Sequence, residues 1–156
     1  MFKLTWLELI FRVIPETLIL MWGIHVFARK NINMFKYVLS SLILAISCFI
    51  IRYMPIYFGV HTDICLMITI ILIMFLTDIP LIKNIQGTFL LYFMLTLGEN
   101  INMILLSNLN INTDISVLQP ILRCIYGIPS LIFLVLSIIS IKYILSKKDG
   151  IRNVFN

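Results

Sequence analysis

Five apolar runs, separated by short breaks that hold most of the charge, leave this chain few ways to fold. They cover about residues 4–28, 36–51, 62–77, 85–106 and 121–144. A helix crossing the hydrocarbon layer of a bilayer needs roughly 20 apolar residues, and most of these runs reach that length. The second is marginal in length, short enough to run into its loop or to tilt little. Of the 156 residues, 61% are hydrophobic and only 12% are charged, with a mean hydropathy of +1.06. A soluble core cannot absorb that much apolar surface, so the excess must face lipid. The expected fold class is all-α, an integral membrane bundle of about five transmembrane helices. Residues 1–145 form its single domain and 146–156 a short basic cytoplasmic tail.

Placement of the basic residues orients the bundle. With the amino terminus outside, eight Lys and Arg fall inside: Arg29, Lys30, Lys36, Lys83, Lys142, Lys147, Lys148 and Arg152. Four fall outside, Lys3, Arg12, Arg52 and Arg123. Cytoplasmic flanks carry the excess of positive charge, so the amino terminus is expected out and the carboxyl terminus in. The net charge of +5 is scattered over span ends rather than gathered into a nucleic-acid surface. Glu8 and Arg12 interrupt the region where a signal peptide would be apolar, and no small-residue cleavage site follows. The first helix is therefore expected to be retained.

Little in the chain points to catalysis. Cys48, Cys65 and Cys124 are odd in number and lack CxxC spacing, which argues for free buried thiols over a disulfide framework or a zinc site. His61 and Cys65 share a helix face at i, i+4, the spacing of a nucleophile and its base. Asp63 lies on another face, so no third group orients them. No HExxH, GxSxG or Gly-rich phosphate loop is present. The chain is expected to be non-enzymatic and to use no cofactor.

The ionisable residues instead gather at one depth. Glu16 stands 13 residues from Arg29, and Glu99 stands 16 from Lys83. At about 1.5 Å per residue, they lie roughly 20 and 24 Å above the inner surface. Arg12 and Glu8 lie above Glu16, while Arg52, His61, Asp63 and Arg123 sit near the outer boundary. An ionised side chain in hydrocarbon costs from about 2.5 to more than 10 kcal/mol, so these groups should turn inward and pair. Glu8, Arg12 and Glu16 share one face and can pair within the helix.

Three readings of this slab stand open. It is a salt-bridge network that packs helices, an outward-facing pocket for a small ligand, peptide or ion, or a proton or ion pathway. The pocket would use Arg12, Glu16, Arg52, Tyr57, His61, Asp63, Glu99, Asn100 and Arg123. Against a pathway, the inner half offers almost no polar residues beyond His25, expected to be solvated. Tyr53, Tyr57 and Phe58 read as interfacial anchors or as a ligand cage, and Pro55 and Gly59 as turn-shaping residues. Gly98-Glu99-Asn100 reads as continuous helix with inward polar side chains, and Pro129 as a kink.

Several short motifs resemble a known family. They are Pro15-Glu16, Arg52-x-x-Pro55-Ile56-x-Phe58-Gly59-x-His61-Thr62, Ile79-Pro80-Leu81-Ile82-Lys83 and the late Glu99. Together they resemble the membrane-embedded amino-terminal sensor region of Gram-positive sensor histidine kinases with GHKL-type ATPase domains, over residues 5 to 106. The resemblance implies a multi-pass protein of a bacterial plasma membrane, a sensory role and an inside carboxyl terminus. Such kinases continue into a helix with a phosphoacceptor histidine and an ATP-binding domain. Here no histidine follows His61, which implies a stand-alone sensor-like module acting through a partner. Expected partners are the lipid bilayer and either further copies of the chain or a membrane or cytoplasmic signalling protein. The alternative is a small transporter subunit holding substrate in the same outer pocket.

Overall fold

The computed structural model describes residues 9–53, 60–77, 79–108 and 120–154, without the side chains of Tyr53, 120–124 and 148–154. The described residues form helices and short connections, with no strand among them. A π-helical turn, Leu9–Val13, leads into α1, Ile14–Ala28. Then come α2, Met34–Tyr53, α3, Val60–Leu76, α4, Leu81–Asn108, and α5, Pro120–Val154. Pro15 falls in the first turn of α1, directly after the π-helical turn. Arg29 ends the helix in the left-handed region at φ 56° and ψ 39°. Its N–H reaches Val26 O and that of Lys30 reaches His25 O, both at 3.2 Å, so the last carbonyls are satisfied.

Four segments are long and apolar enough to cross a membrane: Leu9–Ala28, Met34–Arg52, Leu81–Asn108 and Ile125–Lys147. The chain is a multi-pass membrane protein built as a helical bundle. The short helix is the third rather than the second. α2 has 20 residues, whereas α3 has 17, a rise of about 25 Å at 1.5 Å per residue. α5 runs on to Val154, so the stretch expected as a tail continues the helix. Pro129 lies inside α5.

α1 is the hub, packed against α2, α4 and α5, while α3 joins α2 to α4. Leu20, Met21 and Ile24 on α1 are fully buried at this junction. The surface is the reverse of a soluble protein's. Phe35 and Phe75 are 77% and 76% exposed, while Ser40, Thr69, Asn84 and Thr88 are fully buried. Only an apolar solvent makes that arrangement stable, provided each buried polar group finds a partner. Ser40 Oγ donates to Tyr37 O at 3.0 Å, and Asn84 Nδ2 to Ile70 O at 2.9 Å. Thr88 Oγ1 donates to Asn84 Oδ1 at 3.2 Å.

The half of the bundle holding His25 is therefore more polar than the apolar runs suggest. His25 itself is buried, not solvated. Its Nδ1 lies 2.8 Å from Met21 O, and since a carbonyl can only accept, Nδ1 carries the proton. The Tyr37 ring meets it edge-on at 6.1 Å. A lone histidine in an apolar run does not announce these partners, because one is a backbone carbonyl and the other lies on a different helix.

Candidate functional site: a polar cavity at one end of the bundle

The start of α1, the end of α2, the start of α3 and the second half of α4 meet at one end of the bundle. The π-helical turn carries Arg12, and α1 carries Glu16 one turn later. Arg12 Nη2 donates to Glu99 Oε1 of α4 at 3.0 Å. Arg52 Nη2, from the last turn of α2, lies 3.6 Å from Glu16 Oε1. Both pairs thus join separate helices, in place of the pairing expected within α1. A π turn is wider than an α turn and re-aims the residues on it. Gly127 of α5 leaves room for Arg12, since a Cβ there would stand 3.3 Å from Arg12 Nε.

Beside the two pairs lies a cavity of about 40 Å³, lined by Glu16, Arg52, His61, Thr96 and Glu99 among its polar groups. Cys48 and Cys65 line it too, and Tyr92 forms part of its wall. Thr69 Oγ1 donates to Cys65 O at 2.7 Å, so at the 2.9 Å contact between Thr69 and Tyr92 the phenol is the donor. His61 Nδ1 is shielded from solvent and has no hydrogen-bond partner among the described residues. Two acids and two arginines balance, which leaves the cluster neutral. A space of this size admits water-sized molecules, since about 10–15 Å³ suffices for one water.

The other candidate residues fare differently. Asp63 on α3 and Asn100 on α4 are exposed and do not line the cavity. Tyr57, with Pro55, Phe58 and Gly59, lies outside the described residues, as does Glu8. Arg123 belongs to α5, but its side chain is outside the described set. Thr96, Tyr92 and Cys48 are further parts of the site, and Asn102 is a helix tie. Asn102 is buried and donates through Nδ2 to Tyr126 O, linking α4 to α5. One signal was available: Asn84, Thr88, Tyr92, Glu99 and Asn102 recur at helical spacing along a single face of α4. Among the described residues, no group of three or more His, Cys, Asp or Glu side chains is placed to share a metal ion.

No protein-family model, no curated protein and no solved structure matches the chain.

Proposed function

We propose that the chain is a non-enzymatic regulatory or sensory module of a bacterial plasma membrane, with its amino terminus outside and the polar cavity at the outer face. The observation that carries this reading is that Glu16, Arg52 and Glu99 line the cavity while their ion pairs tie α2 to α1 and the π-helical turn to α4. An ionic or polar ligand that competes for either pair would alter how those helices are tied together. A ligand shifts a conformational equilibrium only by its differential affinity for the two states, and charged groups released from a pair supply that difference. The Arg12–Glu99 pair is the more exposed, at 31% and 37% for its side chains, and is the natural gate. The cavity as it stands suits a small solute better than a peptide. The signal would pass to a second copy of the chain or to a membrane or cytoplasmic partner.

A second reading, a small subunit of a transporter, draws on the buried polar stripe of α4. It runs from Tyr92 at the cavity wall through Thr88 to Asn84, toward the opposite end.

Complementing a deletion strain with wild type, Glu99→Gln, Arg52→Ala or His61→Ala separates the two. Under the regulatory reading, the variants insert normally but lose the transcriptional response that wild type restores, and a kinase or response regulator co-purifies. Changed solute uptake with an associated ATPase or permease would select transport instead. An unchanged response in all three variants would end the pocket idea.

A further inference from the structure

We propose that Cys48 and Cys65 form a redox pair inside the polar cavity, oxidised to a disulfide by hydrogen peroxide or another water-sized peroxide. The two cysteines lie on packed neighbouring helices, α2 and α3, joined through residues 54–59. Measured along the chain they stand equally far from the middle of that connection, and so do Arg52 and His61. Cys48 and Arg52 are one turn apart on α2, and His61 and Cys65 one turn apart on α3. Each helix thus carries a thiol and a basic side chain one turn apart, and all four residues line the cavity. Both thiols line the same cavity of about 40 Å³, a space only a few atoms across.

Burial selects the oxidant. Cys48 and Cys65 are 5% and 4% exposed, so a protein disulfide cannot reach them. The cavity of about 40 Å³ accommodates molecules near the size of water, and hydrogen peroxide is one. Cysteines that act as redox sensors pair a reactive thiolate with a resolving thiol next to it. A neighbouring arginine favours the thiolate form, and Arg52 lines the same space. We assign Cys65 as the attacking sulfur, because it shares a helix face with His61, whose Nδ1 has no partner among the described residues.

The chemistry closes on two electrons. Cys65 gives its proton to His61, and the thiolate attacks one peroxide oxygen. The O–O bond breaks, the leaving hydroxide is protonated to water, and Cys65 becomes a sulfenic acid. The Cys48 sulfur then attacks the Cys65 sulfur. An S–S bond forms, the S–O bond breaks, and a second water leaves with the thiol proton. In sum, two thiols and one hydrogen peroxide give one disulfide and two waters, the sulfurs losing the two electrons that the oxygens gain. The disulfide would pin α2 to α3 one turn below the Arg52–Glu16 pair. The proposal stands on the thiols and the cavity, and does not require the sensory reading.

The test uses the full chain with Cys124→Ser, inserted in lipid nanodiscs. After exposure to hydrogen peroxide and denaturation, free thiols are counted by gel shift with a polymer-linked maleimide. Both remaining adducts should vanish together, return with dithiothreitol, and coincide with loss of the mass of two hydrogens. Cumene hydroperoxide, too large for the cavity, should leave both adducts in the folded protein. With Cys48→Ser added, Cys65 should stop at a sulfenic acid that dimedone traps when present during denaturation; Cys48→Ala serves if the serine disturbs insertion. Persistence of both adducts under peroxide would overturn the proposal. So would loss that dithiothreitol does not reverse, or equal reaction with cumene hydroperoxide. None of these outcomes depends on a regulatory response, so this proposal and the functional one fail separately.

Discussion

Glu16 is the most buried acid of the cluster, its side chain 8% exposed, with Arg52 at 3.6 Å. Removing one partner of such a pair strands the other charge, which costs about 3–5 kcal/mol in buried settings. Arg52→Gln should therefore lower the stability of the detergent-solubilised protein markedly in a thermal unfolding assay. The double variant Glu16→Gln with Arg52→Gln should recover part of that loss, with a coupling of about 0.5–3 kcal/mol. Additive effects would mean the two side chains do not interact. The same cycle on Arg12 and Glu99, each about a third exposed, should give a smaller coupling, within about 1 kcal/mol if water screens it. The need of Glu16 and Glu99 for arginine partners follows from hydrocarbon alone. Which arginine each would take did not, because residue counting fixes a height in the membrane and leaves the azimuth open. Asp63 shows the difference. It stands at the right height beside His61, but two residues along a helix is a turn of about 200°, and it faces away from the cavity.

α1 holds the bundle together because its neighbours approach on three sides, and Gly23 makes one approach close. A Cβ at that position would stand 2.7 Å from Leu91 Cδ1 and 2.8 Å from Ile138 Cδ1. Small residues let helices in lipid pack backbone to backbone, where dispersion and polar contacts must replace the hydrophobic effect. Gly23→Ala sets a gain of about 1 kcal/mol in helix propensity against a clash with the movable ends of Leu91 and Ile138, so its net effect should be small. Gly23→Leu should cost more, and Ile139→Ala, on an exposed face, should cost little. Comparing midpoints of thermal unfolding in one detergent checks all three, and a neutral Gly23→Leu would contradict the packing described. The existence of these helices was readable from the apolar runs, whose composition has few soluble alternatives. Their ends were less so. α2 extends through Arg52, a charge that seemed to close the run but instead turns inward to Glu16. The polar face of α4 was readable in principle from the recurrence of Asn84, Thr88, Tyr92 and Asn102. It was obscured because Thr, Tyr and Asn also mark loops and interfaces.

At the scale of the whole molecule, the two ends of the bundle differ in kind. One end holds a small cavity beside two acid–arginine pairs. The other holds an open cleft of about 370 Å³ lined by His25, Arg29, Lys30 and Lys36. Basic residues concentrate on the cytoplasmic side of membrane proteins, so the asymmetry carries an orientation with it. If α1 crosses from outside to inside and each later helix reverses direction, Asn31 and Lys147 lie in the cytoplasm and Ser107 lies outside. Single cysteines at these positions, in a protein with Cys48, Cys65 and Cys124 replaced by alanine, can be tested with a membrane-impermeant maleimide on intact cells. Ser107→Cys should label at once, whereas Asn31→Cys and Lys147→Cys should label only after permeabilisation. α3 is the critical helix, because it falls short of a full span by length. If it failed to cross, Ser107 would share a side with Asn31, the cavity and the basic cleft would no longer face opposite compartments, and the outer-pocket reading would fall with the topology.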